Sequence, residues 1–401
     1  MKTEAFFIPI NCFQPNAILL QAINHIDCSF LVNHISIQMN FLNFKHFNFT
    51  LASLLLLSFI ILTSFKVKPA FHIKGIVKNN YNGYIYLQHS AVIDSQLVKD
   101  GRFEFKGEVV QPVKAYLCPK NPNSKSQFTL GEFMLENSAL EIHANIYNRN
   151  NEGEEITFLN LDSISGSKSQ VRKAAMDLKI SQVEQISDIS SQKKYLYSTL
   201  LEFISSNPKL SLSGDYLGSY SNYFYNLLEA KQIELLYKKL NHKYQNDNDL
   251  AAINSVILRK KLLSKGKKLS NIVLPDQNGK LVEFNTLPSK LILIEFWASW
   301  CAPCRQTVPE LLNVYKKYKD RGFEIYGISI DENTEAWQKA IAKDQSNWVH
   351  VIDTAHAELQ KFKVNKIPFN ILVNENREII DSNLSPEALD LILQNQLSSN
   401  K

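Results

Sequence analysis

Two cysteines three residues apart, Cys301 and Cys304, are the side chains of this sequence best placed to do chemistry together. The apolar run 291–297 before them has the length and β-branched content of a buried strand. Pro303 follows Cys301, and proline is favoured in a helix's first turn, where its missing N–H would be unpaired. Cys301 is therefore predicted at a strand-to-helix junction, beside helix amides that stabilise a thiolate and lower its pKa. Cys304, one helical turn later, lies within reach for a disulfide.

This spacing predicts thiol–disulfide exchange, in which one thiolate attacks a disulfide and a second thiol resolves the mixed disulfide. We assign the attack to Cys301 and the resolution to Cys304, which we expect to be the less exposed of the two. The alternative, half of a zinc site, needs two further ligands, and the sequence has no second CxxC and no HxxxH pattern. Cys12, Cys28 and Cys118 are not spaced as a disulfide framework.

A carboxylate inside the apolar strand is the second candidate for chemistry. Glu295 lies six residues before Cys301, and burial there would raise its pKa and suit it to accept the Cys304 proton. The alternative is a surface glutamate at a sheet edge, against which its apolar neighbours argue. Trp300 is expected to be a partly exposed platform for substrate beside Cys301, whereas Trp297 is expected in the core.

The run Phe296–Cys304 (FWASWCAPC), Pro309 five residues later, Glu295, and the pair Ile367-Pro368 occur in this order. Together they resemble the thioredoxin superfamily, and within it the TlpA/ResA-like redoxins of the AhpC/TSA type. The resemblance implies an α/β thioredoxin fold over residues 266–401. It also implies a cis Ile367-Pro368 bond packed on the disulfide, with the Ile367 backbone free to pair with a substrate strand.

The resemblance further implies protein disulfides as substrates, apocytochrome c among them, and a membrane thiol as electron donor. No cofactor beyond the Cys301–Cys304 disulfide is expected, and no metal. Phe369 departs from the small or polar residue common after the proline, which leaves the substrate contacts there open.

Upstream of the redoxin module, residues 70–165 show short alternating strands and turn signals that predict a small all-β sandwich. Gly75, an Asp100-Gly101-x-Phe103 turn and Gly107 resemble, more loosely, an uncharacterised β-domain found ahead of redoxins in Bacteroidetes-type proteins. Residues 166–265 have helical periodicity. Asn207-Pro208 and Ser213-Gly214 are expected to break that region into two or three helices.

An uncharged apolar stretch, residues 47–65, lies between flanking lysines near the start of the chain. We therefore expect residues 39–68 to be a signal peptide or membrane anchor, and we favour an uncleaved anchor in an inner membrane. This places the remainder in the periplasm or cell envelope. Residues 1–38 are expected to be a mis-annotated leader, with Met39 as the true start.

The composition and motifs narrow the function classes further. A net charge of +5 over 401 residues, without a dense Lys/Arg block, argues against nucleic-acid binding. A peroxiredoxin is disfavoured because Cys301 lacks the Pro-x-x-x-Thr/Ser-x-x-Cys lead-in that such enzymes share. A third interpretation is an envelope protein whose β-domain binds a ligand or partner and whose redoxin module is regulatory.

Overall fold

The computed structural model describes residues 70–79, 81–124, 128–151 and 154–397. The expected leader, residues 1–38, and the expected signal or anchor, residues 39–68, lie outside this part of the chain. Among the described residues, none of the helices combines the length and the apolar character that a bilayer crossing requires.

The described residues of the first region form eight strands in two four-stranded sheets. They are β1 (Phe71–Lys78), β2 (Tyr84–His89), β3 (Val92–Leu97), β4 (Arg102–Gly107), β5 (Val113–Cys118), β6 (Gly131–Leu135), β7 (Ala139–Asn151) and β8 (Glu154–Ser165). One sheet has the order β4-β1-β7-β8 and the other β3-β2-β5-β6. Alternate side chains such as Ile73, Ile85 and Leu117 are fully buried between the sheets. The region is the expected β-sandwich.

The Asp100-Gly101 turn forms with an antiparallel bridge between Lys99 and Arg102, as its sequence predicts, but the strands that it joins are not partners in one sheet. Asp100 and Gly101 both have positive φ, as their turn type requires, but they connect β3 to β4, which lie in different sheets. The hairpin that joins the paired strands β2 and β3 instead turns at Ser90, with φ 50°. Short-range turn chemistry was predicted correctly, whereas the assignment of strands to sheets depends on burial across the whole region.

The helical region contains five helices, more than the expected two or three: α1 (Lys168–Ser181), α2 (Ile189–Ser206), α3 (Ser211–Tyr223), α4 (Ala230–Lys239) and α5 (Asp247–Leu262). Asn207-Pro208 does separate α2 from α3. Ser213-Gly214, however, lies inside α3. Gly214 is needed there for close packing, because its N–H donates to Gln245 Oε1 at 2.9 Å and a Cβ would lie 2.8 Å from that oxygen.

The last region contains seven strands and four helices: β9 (Val273–Pro275), β10 (Leu281–Glu283), β11 (Leu291–Trp297), α6 (Ala302–Tyr318), β12 (Phe323–Ser329), α7 (Thr334–Asp344), β13 (Val349–Ile352), α8 (Ala357–Lys361), β14 (Phe369–Asn374), β15 (Ile379–Ser382) and α9 (Pro386–Leu397). The main sheet has the order β13-β12-β11-β14-β15. β11 pairs in parallel with β12 and antiparallel with β14. This is the α/β arrangement expected of a thioredoxin fold.

The central strand β11 is buried on both faces, and successive side chains point to opposite sides. Ile292, Ile294 and Phe296 share a core with α2–α5 of the helical region. Leu291 and Leu293 share a different core with α6 and α9. The helical region therefore packs on one face of the redoxin sheet, and the cysteine-bearing helix α6 packs on the other.

Candidate active site

Cys301 and Cys304 are joined by a disulfide at the start of α6, with an S–S distance of 2.06 Å and Cα atoms 5.3 Å apart. Cys301 is the N-cap residue of the helix, and the backbone N–H of Cys304 donates to Cys301 Sγ at 3.2 Å. Pro303 lies in the first turn, as expected. Helix amides and the positive end of the helix dipole thus face the Cys301 sulfur, an arrangement that stabilises a thiolate there.

The two cysteines have nearly equal exposure, which differs from the expectation of a clearly more buried Cys304. Cys301 is 4% exposed and Cys304 3%, because the S–S bond holds both sulfurs in one apolar cluster with Trp337 and Ile341. Trp300, by contrast, is 66% exposed. The N-cap position, rather than exposure, distinguishes the attacking from the resolving sulfur.

Glu295 projects from β11 and is 7% exposed. Loss of water raises its pKa to about 8, while a hydrogen bond from Asn370 acts in the opposite direction. Its Oε2 atom has no hydrogen-bond partner among the described residues. The carboxyl and Cys304 both line a cavity of about 20 Å³, room for about one water. Glu295 and Cys304 therefore border the same small cavity.

A second cavity, of about 280 Å³, also reaches Glu295. Pro368, Asn370 and Ser385 line it, and it lies between α6, β14 and the start of α9. A volume of this size holds several waters. Glu295 thus borders a cavity on each side of it.

The Ile367-Pro368 bond is cis, and the loop that contains it lies beside the disulfide. The Ile367 side chain packs against the cluster that holds Cys301 and Cys304. Within the described residues, neither the N–H nor the C=O of Ile367 has a hydrogen-bond partner. The structure therefore brings the six predicted site residues to one place, from three stretches of chain: Glu295, Trp300, Cys301, Cys304, Ile367 and Pro368.

Asp331 is a site residue that sequence reasoning missed. It is 1% exposed and accepts hydrogen bonds from the Ser299 N–H at 2.8 Å, the Ser299 hydroxyl at 2.6 Å and the Ser329 hydroxyl at 2.6 Å. These bonds hold the turn that leads into Cys301. The available signal was an acid directly after the buried strand β12, whose carboxyl end lies beside that of β11.

His350 lines the small cavity beside Glu295 and Trp297. Burial lowers its pKa to about 4, so the ring is neutral at physiological pH. Its Nε2 lies 3.2 Å from the Ser346 carbonyl and therefore carries the proton. No group of three His, Cys, Asp or Glu side chains suited to a metal occurs within the described ranges.

The β-sandwich region and the redoxin region match different families of known proteins. A family model for redoxins matches residues 264–393, and a model for a domain of unknown function (DUF4369) matches residues 71–172. The thiol-disulfide oxidoreductase ResA of Bacillus subtilis (strain 168) is 32% identical over 127 residues, which cover 32% of this chain and 71% of ResA. ResA of Bacillus anthracis is 28% identical over 116 residues, covering 29% of this chain and 67% of that protein.

Two solved structures are also similar to this chain. The thioredoxin domain of a thiol-disulfide oxidoreductase from Bacteroides vulgatus is 32% identical, with 34% of this chain and 99% of that domain covered and a TM-score of 0.32. A putative thiol:disulfide interchange protein DsbE from Chlorobium tepidum is 26% identical, with 34% and 99% covered and a TM-score of 0.32.

Residues 264–393 are thus a redoxin domain carrying a CxxC disulfide. The chain belongs to the family of ResA-type thiol-disulfide oxidoreductases. The resemblance read from the sequence is confirmed for the redoxin domain, and the β-domain ahead of it is confirmed as a domain of unknown function.

Proposed function

We propose that this protein reduces disulfide bonds in protein substrates outside the cytoplasm, with the Cys301–Cys304 pair as its redox group and no further cofactor. The observation that carries the proposal is the buried Glu295 carboxyl, which shares a one-water cavity with Cys304 behind the N-cap Cys301. An acid with a pKa of about 8 is close to the ordinary pKa of a thiol, about 8.5. Proton exchange between the two groups is therefore nearly balanced.

The reaction begins with the reduced protein. The Cys301 thiolate attacks one sulfur of the substrate disulfide, the substrate S–S bond breaks, and the other substrate sulfur leaves as a thiolate that takes a proton. Cys304 then gives its proton to Glu295 in its ionised form, which is populated as the pH nears 8, and attacks Cys301 Sγ. The bond between Cys301 and the substrate breaks, the released substrate thiolate takes a proton from water, and the substrate leaves as a dithiol that has gained two electrons.

Substrate recognition is assigned to the surface around the disulfide. The unpaired N–H and C=O of Ile367 are free to bond an extended substrate segment, as a strand pairs with an open sheet edge. Trp300, two-thirds exposed, supplies an apolar contact on the other side of Cys301. A peptide with a disulfide fits these contacts, and the cysteine pair of an apocytochrome c is one such substrate.

Each turnover leaves the protein oxidised, so a thiol donor must return two electrons. In an oxidising compartment that supply has to cross a membrane, which is why we assign the donor to a membrane thiol protein. The uncharged run 47–65 supports a periplasmic or cell-envelope location with attachment to the inner membrane.

The test uses a disulfide-bonded peptide and a matched pair of variants. Cys304→Ser is expected to accumulate a mixed disulfide between Cys301 and the peptide, because the resolving thiol is gone. Cys301→Ser is expected to form none. Mass spectrometry of alkylated samples reads both results. Failure of the reduced wild-type protein to convert the peptide to its dithiol would refute the proposal.

A further inference from the structure

A buried arginine from the helical region reaches the loop that carries Ile367 and Pro368. Arg259, near the end of α5, is 3% exposed. Its guanidinium donates to the Lys363 carbonyl at 3.1 Å and to Asn365 Oδ1 at 2.5 Å. A third bond goes to Asn222 Oδ1, in α3, at 2.6 Å. The arginine thus ties two helices of one region to a loop of another.

The same guanidinium also lies against two aromatic rings. Its central carbon is 5.1 Å from the ring centre of Tyr225 and 5.3 Å from that of Phe369, within the range of cation–π attraction. The two rings meet edge to face at 5.6 Å. Phe369, the residue whose size departs from the family pattern, is therefore half of an aromatic clamp on Arg259.

These contacts hold the loop on both sides of Ile367. Lys363 and Asn365 precede it, and Phe369 follows it directly after Pro368. The acceptors on the loop are a carbonyl and a side-chain amide, both neutral, and burial lowers the arginine pKa. The hydrogen bonds of this buried cation depend on the planar, fixed arrangement of the guanidinium N–H groups, which a lysine ammonium group cannot reproduce.

We propose that Arg259 is a positioning residue for substrate: it holds residues 363–369 so that the Ile367 backbone is presented to an extended peptide beside Cys301. This assigns to the helical region a share in substrate binding, and it rests on the proposed reduction of protein disulfides. The chemical step at the two sulfurs does not involve Arg259, which contacts neither cysteine.

The experiment compares two substrates of the full-length protein, a disulfide-bonded peptide and the small disulfide of 2-hydroxyethanethiol. The small disulfide does not need strand pairing. Arg259→Lys is expected to lower kcat/KM for the peptide about tenfold, mainly by raising KM. The rate with the small disulfide is expected to stay within about twofold of the wild-type rate.

Two further variants complete the experiment: one removes a loop acceptor of Arg259, and the other is a control on the same helix. Asn365→Ala removes one acceptor from an exposed loop position and is expected to give a smaller loss on the peptide, about threefold. Lys261→Met, two residues along the same helix and exposed, is expected to leave both rates unchanged.

Equal losses on both substrates, or no loss on the peptide in Arg259→Lys and Asn365→Ala, would overturn the inference while the proposed function stands. A wild-type protein that reduces the small disulfide but not the peptide would overturn both.

Discussion

The β-sandwich and the redoxin domain each bury a cysteine in an apolar core, yet the two sites are chemically opposite. Cys118, at the end of β5, is fully buried, and burial raises the pKa of its thiol to about 11. Cys301 is nearly as buried, at 4% exposed, but its sulfur accepts the Cys304 amide at a helix N-terminus. Burial alone therefore makes a thiol inert, whereas a helix amide and a partner cysteine make one reactive.

The two regions also differ in whether their charged side chains have partners. Where the sandwich meets the helices, Lys114 lies 2.7 Å from Asp215, and Lys173 of α1 lies 3.4 Å from Glu132. In the redoxin domain, Glu295 has one carboxyl oxygen without a hydrogen-bond partner among the described residues. A buried acid left in this way costs stability. On the proposed function, proton exchange with Cys304 is the reason for that cost.

The largest effect should come from exchanging single cysteines of the two domains for serine. Cys301→Ser is expected to lower peptide-disulfide reduction by more than about 10³-fold, because the nucleophile is lost. Cys118→Ser is expected to leave the rate within about twofold, since that thiol takes no part. A dithiol-release assay on both variants checks the comparison. Retained function in Cys301→Ser would favour the alternative of a binding protein with a regulatory redoxin domain.

The second-largest effect is expected when the Glu295 carboxyl is replaced. Glu295→Gln keeps the shape of the side chain but cannot accept a proton, so the resolving step is expected to slow about 100-fold at about pH 8.5, where the wild-type carboxyl is ionised. The first step, attack by Cys301, should be little changed. Quenched-flow trapping should then show the mixed disulfide accumulating in the variant and not in the wild type. A uniform slowing of both steps would mean that Glu295 acts on Cys301 instead.

A smaller effect should be visible in stability. The folded protein keeps a proton on Glu295 up to about pH 8, whereas an unfolded chain releases it near 4.5. The folded state thus holds more protons between these values, and the free energy of unfolding falls as pH rises through this window. Relative to Glu295→Gln, the wild type should lose more than about 1 kcal/mol between pH 5 and pH 8.5. Urea unfolding of both oxidised proteins measures this, and parallel pH curves would contradict it.

Much of the redoxin domain followed from local sequence. The strand before Cys301, the helix start at Pro303 and the burial of Glu295 are properties of neighbouring residues. Asp276–Gly279, around which β9 pairs with β10, likewise has the local residue types of a hairpin turn.

The missed features are long-range. Asp331 meets Ser299 across 32 positions, and Arg259 meets Asn365 across 106; no periodicity or turn signal encodes such pairs. The predicted helix break at Ser213-Gly214 was wrong for a related reason. The local sequence around Gly214 predicts a helix break. In the packed structure the glycine instead makes room for Gln245 inside the helix, and local sequence does not show this.

The most direct test of the central claim is the reduction potential of the Cys301–Cys304 pair, measured by equilibration with dithiothreitol or glutathione and thiol trapping. A reductase of protein disulfides is expected to lie toward the thioredoxin end of the scale, near about −250 mV or lower. A value near about −120 mV would identify an oxidant that makes disulfides and would contradict the proposed direction. The absence of any reversible two-electron couple would contradict the redox assignment itself.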